Sequence, residues 1–143
     1  MTDLRILLVC TANICRSPMA EAVMKKRVAN PEKIGSAGIH APAGAPAASK
    51  VSEILARRDM RIDGHASRQF STEIATDCDL ILVMEREHRS WVARHLPALV
   101  GRTYLLGQWS DFEVSDPIGQ SDERFEEAFQ LIDRGVEDWC KRL

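Results

Sequence analysis

The stretch VCTANICRSPMAE, residues 9–21, places two cysteines, an asparagine, an arginine and a serine within a few positions of one another. It continues the aliphatic run RILLV at residues 5–9, which is typical of a strand buried on both faces of a parallel sheet. Pro18 suits the first position of a helix, and Ser17 suits its N-cap. The stretch therefore predicts a tight strand-to-helix junction that carries reactive side chains.

Further along the chain, short aliphatic segments alternate with segments of helical spacing. Strands are predicted at 33–39, 79–84 and 102–106, and helices from 18 to Asn30-Pro31, at 49–58, at 85–96 and after a Ser121 cap. About four strand–helix alternations predict an α/β fold, a three-layer sandwich with a central four-stranded parallel sheet and helices on both faces. The length of 143 residues suits one domain, 1–143. Ligands of such sheets bind beyond the C-terminal strand ends, where Cys10 is expected.

Composition and the N-terminal sequence limit which partners, cofactors and cellular compartment are expected. The formal net charge of −2, from 19 basic and 21 acidic residues, indicates neither a nucleic acid nor a membrane as partner. The N-terminus lacks the pattern of a secretory signal, so a cytoplasmic location with reduced thiols is predicted. Cys10, Cys15, Cys78 and Cys140 form no C-x-x-C pair, so neither a metal nor a cofactor is expected.

The junction has the chemistry of an anion site. Five residues separate Cys10 from Arg16, and a loop that short before a helix points successive N–H groups inward. Arg16 adds a planar fork that matches two phosphate oxygens, and the same positive field stabilises a thiolate at Cys10. A lone C-x5-R match arises by chance, and an isolated cysteine is usually a small buried hydrophobe. The extended pattern C-x-x-N-x-C-R-S-P at a strand-to-helix junction favours a phosphate loop with a nucleophile.

Several segments resemble one family. CTANICRSPMAE is similar to the phosphate loop of the low-molecular-weight protein tyrosine phosphatases, and LLGQW at 105–109 resembles the bacterial branch. Four more segments follow the family's order and spacing: SAG at 36–38, GHASRQ at 64–69, DLILVME at 79–85 and SDP at 115–117. The resemblance covers essentially the whole chain. It implies a metal-independent hydrolase of phosphotyrosine in proteins.

The resemblance implies a role for each residue of the loop. Cys10 would attack phosphorus and form a thiophosphate, while Asp116 would protonate the leaving phenolate and then deprotonate water. Asp-Pro alone is a common turn pair, and Asp111 is the rival acid. The phosphate would be bound by Arg16 and by the loop amides, namely those of Thr11, Ala12, Asn13, Ile14, Cys15, Arg16 and Ser17.

Further residues would support the loop. Ser17 is expected to donate a hydrogen bond to the Cys10 sulfur, and Asn13 tolerates a left-handed backbone. In the family a serine and a histidine, which match Ser36 and His65, hold this asparagine. The alternative for His65 is a solvated loop histidine.

The other cysteines have separate expectations. In the family, the residue at Cys15 forms a disulfide with the nucleophile under oxidation, which protects it from irreversible sulfinic acid. The alternative for Cys15 is simple loop packing. Cys78 and Cys140 are expected in the core.

Three other functions are known for loops of this kind, and the sequence favours none of them. Arsenate reductases of similar fold need further cysteines near the third strand, where this chain has Met84. Protein-arginine phosphatases resemble this chain closely but carry Thr in place of Ile14, whose apolar side chain suits a phenyl ring. A catalytically dead phosphotyrosine-binding module usually loses the cysteine, the arginine or the acid, and all three are present here.

Two departures from the family pattern affect substrate binding. Ala12 stands where glycine is frequent, and Ile118-Gly119 replaces the tyrosines that follow the Asp-Pro pair in relatives. Any aromatic wall must then come from Trp109, Phe112 or the loop at His40. Expected partners are phosphotyrosine-containing proteins, among them a bacterial tyrosine autokinase, and the sequence indicates no oligomeric state.

Overall fold

A four-stranded parallel sheet forms the centre of the protein in the computed structural model, which describes residues 3–143. The strands are β1 (Ile6–Cys10), β2 (Ile34–Gly38), β3 (Leu80–Val83) and β4 (Thr103–Leu105). Their spatial order is β2-β1-β3-β4, and every neighbouring pair is parallel. The predicted α/β fold with a four-stranded parallel sheet is confirmed.

In the described part of the chain, five helices connect and follow the strands: α1 (Arg16–Arg27), α2 (Ser49–Ala56), α3 (Thr72–Ala75), α4 (Arg86–His95) and α5 (Asp122–Cys140). Two 3₁₀ segments, Pro31–Lys33 and Pro97–Arg102, precede β2 and β4. The helix α3 was not predicted, because one turn is too short for a periodic signal; its start is fixed by the Ser71 side chain, which accepts from the Ile74 N–H. From residue 3 to residue 143, no helix is long and apolar enough to cross a membrane.

The side chains of β1 alternate between two cores. Ile6 and Leu8 pack into the cluster that also contains apolar residues of α1, α2 and α5. Leu7 and Val9 pack into the cluster on the opposite face, with residues of α3 and α4. Both faces of the sheet are therefore covered, as the continuous apolar run predicted.

The helix α1 differs from the prediction at both ends. It begins at Arg16, so Cys15 is its N-cap, and no side chain caps it. Ser17 does not act as the cap because its hydroxyl oxygen binds the side chains of Cys10 and Asn13. Pro18 is the third helical residue, where its missing N–H costs nothing because the first-turn N–H groups have no helical acceptor. The helix ends at Arg27, before the predicted Asn30-Pro31 boundary.

An apolar stripe of α5 lies against the core. Ser121 caps this helix by accepting from the Arg124 N–H, as predicted. The buried residues of the stripe are Phe125, Ala128, Phe129, Ile132, Val136 and Trp139, while Cys140 is half-buried at its end.

Candidate active site

The candidate site lies where β1 passes into α1, at the C-terminal edge of the sheet. Chain order reverses here, since β1 is followed on one side by β2 and on the other by β3, and ligands of such sheets bind at this crevice. Cys10 is the last residue of β1 and not the first residue after it. A Cβ on Gly38 would lie 2.5 Å from the Thr11 carbonyl oxygen, so only glycine lets β2 approach the loop this closely.

Cys10 is buried, with 2% of its surface exposed, and its sulfur lies 3.0 Å from the Ser17 hydroxyl. The Ser17 oxygen accepts a hydrogen bond from the Asn13 side-chain amide at 2.9 Å. The single hydroxyl hydrogen of Ser17 then has two acceptors within reach, the Cys10 sulfur at 3.0 Å and the Ala37 carbonyl at 3.4 Å. A donor to sulfur stabilises a thiolate, which is the form that acts as a nucleophile.

Asn13 fixes the shape of the loop. Its φ of 58° is in the left-handed region, which asparagine tolerates better than most residues. Its side-chain amide donates to the Ser36 hydroxyl at 2.9 Å, and its side-chain oxygen accepts from the Arg68 N–H at 3.0 Å. His65 contacts the backbone carbonyl of Asn13 through Nε2 at 2.7 Å, and not the side chain. Ser36 and His65 therefore both meet Asn13, at different atoms.

Arg16 is held by residues outside the loop, Glu85 and Val114, and by Thr11 within it. One nitrogen, Nη1, donates to Glu85 Oε1 at 2.5 Å and to the Val114 carbonyl at 2.8 Å. The other, Nη2, donates to the Thr11 hydroxyl at 3.3 Å. The side chain is almost completely buried, so its orientation is fixed before any anion arrives. Among residues 3–143, no hydrogen-bond acceptor is recorded for Nε or for the second hydrogen of Nη2, so both can donate to an anion.

Asp116 lies next to Arg16, and Asp111 does not. Asp116 Oδ2 is 3.8 Å from Arg16 Nη2, and Oδ1 accepts from the Ile118 N–H at 3.1 Å. The Asp116 side chain is 41% exposed, so it can exchange protons with water. Asp111 forms an ion pair with Arg86 at 3.0 Å on the surface. The structure thus places Asp116 with the loop residues and gives the rival acid a different partner.

Cys15 is a free, buried thiol at the N-cap of α1. Burial is the main cause that raises its pKa to about 12, and the charges of Asp116 and Cys10 add to the rise. The neighbouring Ile14 is half-buried, packs beside the core and accepts at its carbonyl from the Ala48 N–H at 2.8 Å. The segment 40–48 therefore lies along the outside of the loop. Cys78 and Cys140 are half-buried, each beside one of the two cores.

The three candidates for an aromatic wall have different surroundings. The backbone N–H of His40 donates to the Thr11 carbonyl at 2.8 Å, and the His40 ring packs against Trp91. Trp109 packs against Trp139 and Arg142 near the end of α5. Phe112 packs beside the core and over Gly107. The His40 backbone thus bonds to the loop, Phe112 packs against the core cluster that includes Cys10 and Cys15, and Ile118 beside Asp116 is 45% exposed.

A buried histidine that the sequence analysis missed completes the site. His88 Nδ1 accepts from the Glu85 N–H at 3.0 Å, and Nε2 lies 3.0 Å from the Thr11 hydroxyl. The pKa of His88 falls from its ordinary 6.5 to about 4, chiefly because burial disfavours the charged ring and secondly because Arg16 is close. The charges of Asp116 and Glu113 oppose this shift. The ring is therefore neutral near pH 7, with its one hydrogen on Nε2.

Three further supporting residues were missed as well. Glu85 holds Arg16, Arg68 holds the Asn13 side chain, and Glu21 accepts from the Ser36 hydroxyl at 2.5 Å. Glu85 and His88 form a capping box on α4, and an acceptor three residues before a polar side chain is the sequence signal of such a box. That pattern predicts a helix start, but it gives no sign of the contact with Arg16.

Replacing His88 with Gln should flatten the pH dependence of stability below pH 6.5. In the wild type the folded pKa is lowered from 6.5 to about 4, so the unfolded chain binds more protons between these values. The contribution of this shift to the free energy of unfolding is fully present above pH 6.5 and is lost as the pH falls towards 4. The loss is up to about 3 kcal/mol, at about 1.4 kcal/mol per pKa unit. Glutamine suits this position of a capping box but does not titrate. Urea unfolding at pH 7 and pH 4.5 checks this; an equal loss in both proteins would contradict it.

Comparisons with known proteins agree with this geometry. Residues 5–143 match the sequence profile described as low molecular weight phosphotyrosine protein phosphatase. The chain is 40% identical over 139 residues to the low molecular weight protein-tyrosine-phosphatase Etp of Escherichia coli strain K12, covering 96% of this chain and 93% of the relative.

Two solved structures bear on the ligand. The structure of Vibrio vulnificus Wzb in complex with benzylphosphonate matches with a TM-score of 0.91 and 38% identity, over 96% of this chain and 97% of that one. The structure of the YwlE arginine phosphatase from Geobacillus stearothermophilus matches with a TM-score of 0.88 and 26% identity, over 97% and 92%. The backbone alone therefore does not separate a phenyl phosphate from a phosphoguanidine.

Proposed function

The chain belongs to the low molecular weight protein-tyrosine phosphatase family, and we propose that it hydrolyses phosphotyrosine in proteins through a thiophosphate on Cys10. The observation that carries this proposal is that two pairs of side chains lie at one loop. A buried sulfur has a hydroxyl donor at 3.0 Å, and a fixed guanidinium lies beside a half-exposed carboxyl at 3.8 Å. A nucleophile, an anion receptor and an acid thus meet at one strand end.

The proposed reaction has two steps. The Cys10 thiolate attacks phosphorus, the ester P–O bond breaks, and the Asp116 carboxylic acid gives its proton to the leaving phenolate. Asp116, now a carboxylate, then takes a proton from water as that water attacks the thiophosphate. The S–P bond breaks, phosphate leaves and the thiolate is regenerated, with the Ser17 hydroxyl stabilising its charge. Arg16 and the amides of residues 11–17 stabilise the equatorial oxygens in both steps.

Phosphotyrosine is preferred over phosphoarginine because of Ile14. Its half-buried aliphatic side chain can contact a phenyl ring and offers no hydrogen bond to a guanidinium. The 38% identical relative solved with benzylphosphonate supports the same choice, because that ligand carries its phosphonate on a benzyl group. Hydrolysis of phosphoarginine is the second candidate function, since the arginine phosphatase relative shares the fold at 26% identity.

The test is phosphate release from matched phosphotyrosine, phosphoserine and phosphoarginine peptides in the presence of a chelator. Wild type should release phosphate from the phosphotyrosine peptide, and Cys10→Ser should measure the background. Ile14→Thr should raise activity on phosphoarginine relative to phosphotyrosine, because threonine adds a hydrogen-bonding hydroxyl at the position where isoleucine has only aliphatic carbon. A wild-type preference for phosphoarginine would refute the substrate assignment, and no release at all would favour a binding module.

Cys15 is proposed to protect the nucleophile from over-oxidation. Peroxide converts the Cys10 thiolate to a sulfenic acid, and the Cys15 sulfur then displaces water to form a disulfide. The pKa of Cys15, raised to about 12, disfavours its thiolate, but the negative charge of Cys10, one cause of the rise, is lost once that sulfur is oxidised.

Cys15→Ala should make peroxide inactivation permanent. Without the second sulfur, the sulfenic acid at Cys10 proceeds to sulfinic acid, which thiols do not reduce. The measurement is activity after mild peroxide followed by excess dithiothreitol, with Cys140→Ala as the matched control. Wild type and the control should recover, and Cys15→Ala should not; equal recovery in all three would show that Cys15 only packs the loop.

The partner and the compartment follow from this chemistry. We propose that tyrosine-phosphorylated proteins, including a bacterial tyrosine autokinase, are the substrates. We also propose that the protein works in the cytoplasm, because the reaction requires Cys10 as a free thiol and thiols stay reduced there.

A further inference from the structure

The hydroxyl of Thr11 stands between two donors. His88 Nε2 lies 3.0 Å from Thr11 Oγ1, and Arg16 Nη2 lies 3.3 Å from the same oxygen. Thr11 directly follows Cys10 in the loop and is half-buried, so part of its surface is accessible. Its hydroxyl is not used in the reaction as described above.

The direction of the first bond is fixed by the other end of the histidine ring. His88 Nδ1 accepts from the Glu85 N–H at 3.0 Å, so in the neutral ring the hydrogen is on Nε2. His88 must then donate to Thr11 and cannot accept from it. His88 is 2% exposed, so its ring is shielded from solvent and the Glu85 N–H determines its tautomer.

The direction of the second bond is fixed by chemistry alone, because a guanidinium has five donors and no acceptor. Thr11 Oγ1 thus receives two hydrogen bonds, and a hydroxyl has two lone pairs and one hydrogen. Both lone pairs are occupied, so the hydrogen must be donated elsewhere. Across residues 3–143, each hydrogen bond recorded for this hydroxyl brings a donor to it, and neither takes its hydrogen.

We propose that the Thr11 hydroxyl is a further catalytic group, which donates a hydrogen bond to an oxygen of the substrate phosphoryl group. The Arg16 nitrogen that contacts Thr11 is the one that lies 3.8 Å from Asp116, so this hydroxyl is at the edge of the phosphate loop nearest the acid. A donor there stabilises the charge that develops on the transferring group. His88 is a positioning residue, because its fixed Nε2–H keeps the threonine in the donor orientation.

The inference rests on the proposed phosphatase function and adds one donor to it. Thr11→Val removes the hydroxyl at nearly constant volume and should lower kcat/KM on a phosphotyrosine peptide about 10-fold, the scale of one hydrogen bond to a charged group. Thr11→Ser keeps the hydroxyl and should stay within about 3-fold of wild type on the same scale. If valine and wild type were equally active, the inference would fail while the phosphatase function stood.

A double variant separates direct donation from simple support of Arg16. If Thr11 acts only by holding Arg16, then Thr11→Val should cost nothing once Arg16 is lysine. If Thr11 donates to the phosphoryl group, the Arg16→Lys/Thr11→Val enzyme should be about 10-fold slower than Arg16→Lys alone. Equal rates in those two variants would overturn the inference. No activity in any variant or in the wild type would instead refute the proposed function.

Discussion

Arg16→Lys is expected to lower kcat on a phosphotyrosine peptide by roughly 10³-fold or more, the scale measured when an arginine that stabilises phosphoryl transfer is removed. The guanidinium has two sets of donors, which serve different partners. Nη1 donates to Glu85 and to the Val114 carbonyl, while Nε and the Nη2 hydrogen that is not directed to Thr11 can bind the phosphate. A lysine has one nitrogen, so it can keep the Glu85 contact or reach the phosphate, but it cannot do both.

The effect should appear in kcat more than in KM. The phosphate carries its charge in both ground and transition states, but the planar fork matches the equatorial oxygens best in the transition state. Steady-state kinetics of the lysine variant measures how the loss is divided between kcat and KM. Arg86→Lys is the matched control, because Arg86 also makes two ion pairs, with Asp111 and Glu113, but on an exposed surface. Equal losses in both variants would mean that Arg16 acts through general stability.

The sequence predicted the fold because the two central strands, β1 and β3, are aliphatic runs that alternate with segments of helical spacing. Residues 6–9 alternate between two cores, as a run buried on both faces requires. The start of α1 was wrong by two residues, since Ser17 was assigned to a cap and its hydroxyl binds Cys10 and Asn13 instead. Capping preference reflects only contacts between a side chain and the backbone next to it, whereas the hydroxyl of this serine makes a tertiary contact.

The loop itself could be predicted, but the residues that hold it could not. Cys10 and Arg16 are close in sequence, so their spacing reports their geometry. Glu85 lies 69 residues from Arg16, and His88 lies 77 residues from Thr11, so no local pattern joins them. The parallel sheet makes these contacts, because β3 lies beside β1 and delivers the start of α4 to the same edge.

Asp116→Ala is expected to slow turnover of a phosphotyrosine peptide by at least about 100-fold, the usual scale for a general acid. Its carboxyl is 3.8 Å from Arg16 Nη2, on the side of the guanidinium that remains open to an anion. The backbone N–H of Ile118 binds the other carboxyl oxygen and fixes the side chain towards the loop. Without this acid, the phenolate must leave unprotonated and water must attack without a base.

The loss should depend on the leaving group, which identifies the step. A phosphate ester of an acidic phenol needs little protonation to leave, so Asp116→Ala should lose less activity on p-nitrophenyl phosphate than on a phosphotyrosine peptide. The matched control is Asp111→Ala, which removes an aspartate five residues away that is paired with Arg86 on the surface. That variant should retain wild-type rates on both substrates. A larger loss in Asp111→Ala than in Asp116→Ala would reverse the assignment of the acid, whereas an equal loss on both substrates would leave Asp116 a role in charge balance around Arg16 and none in proton transfer to the leaving group.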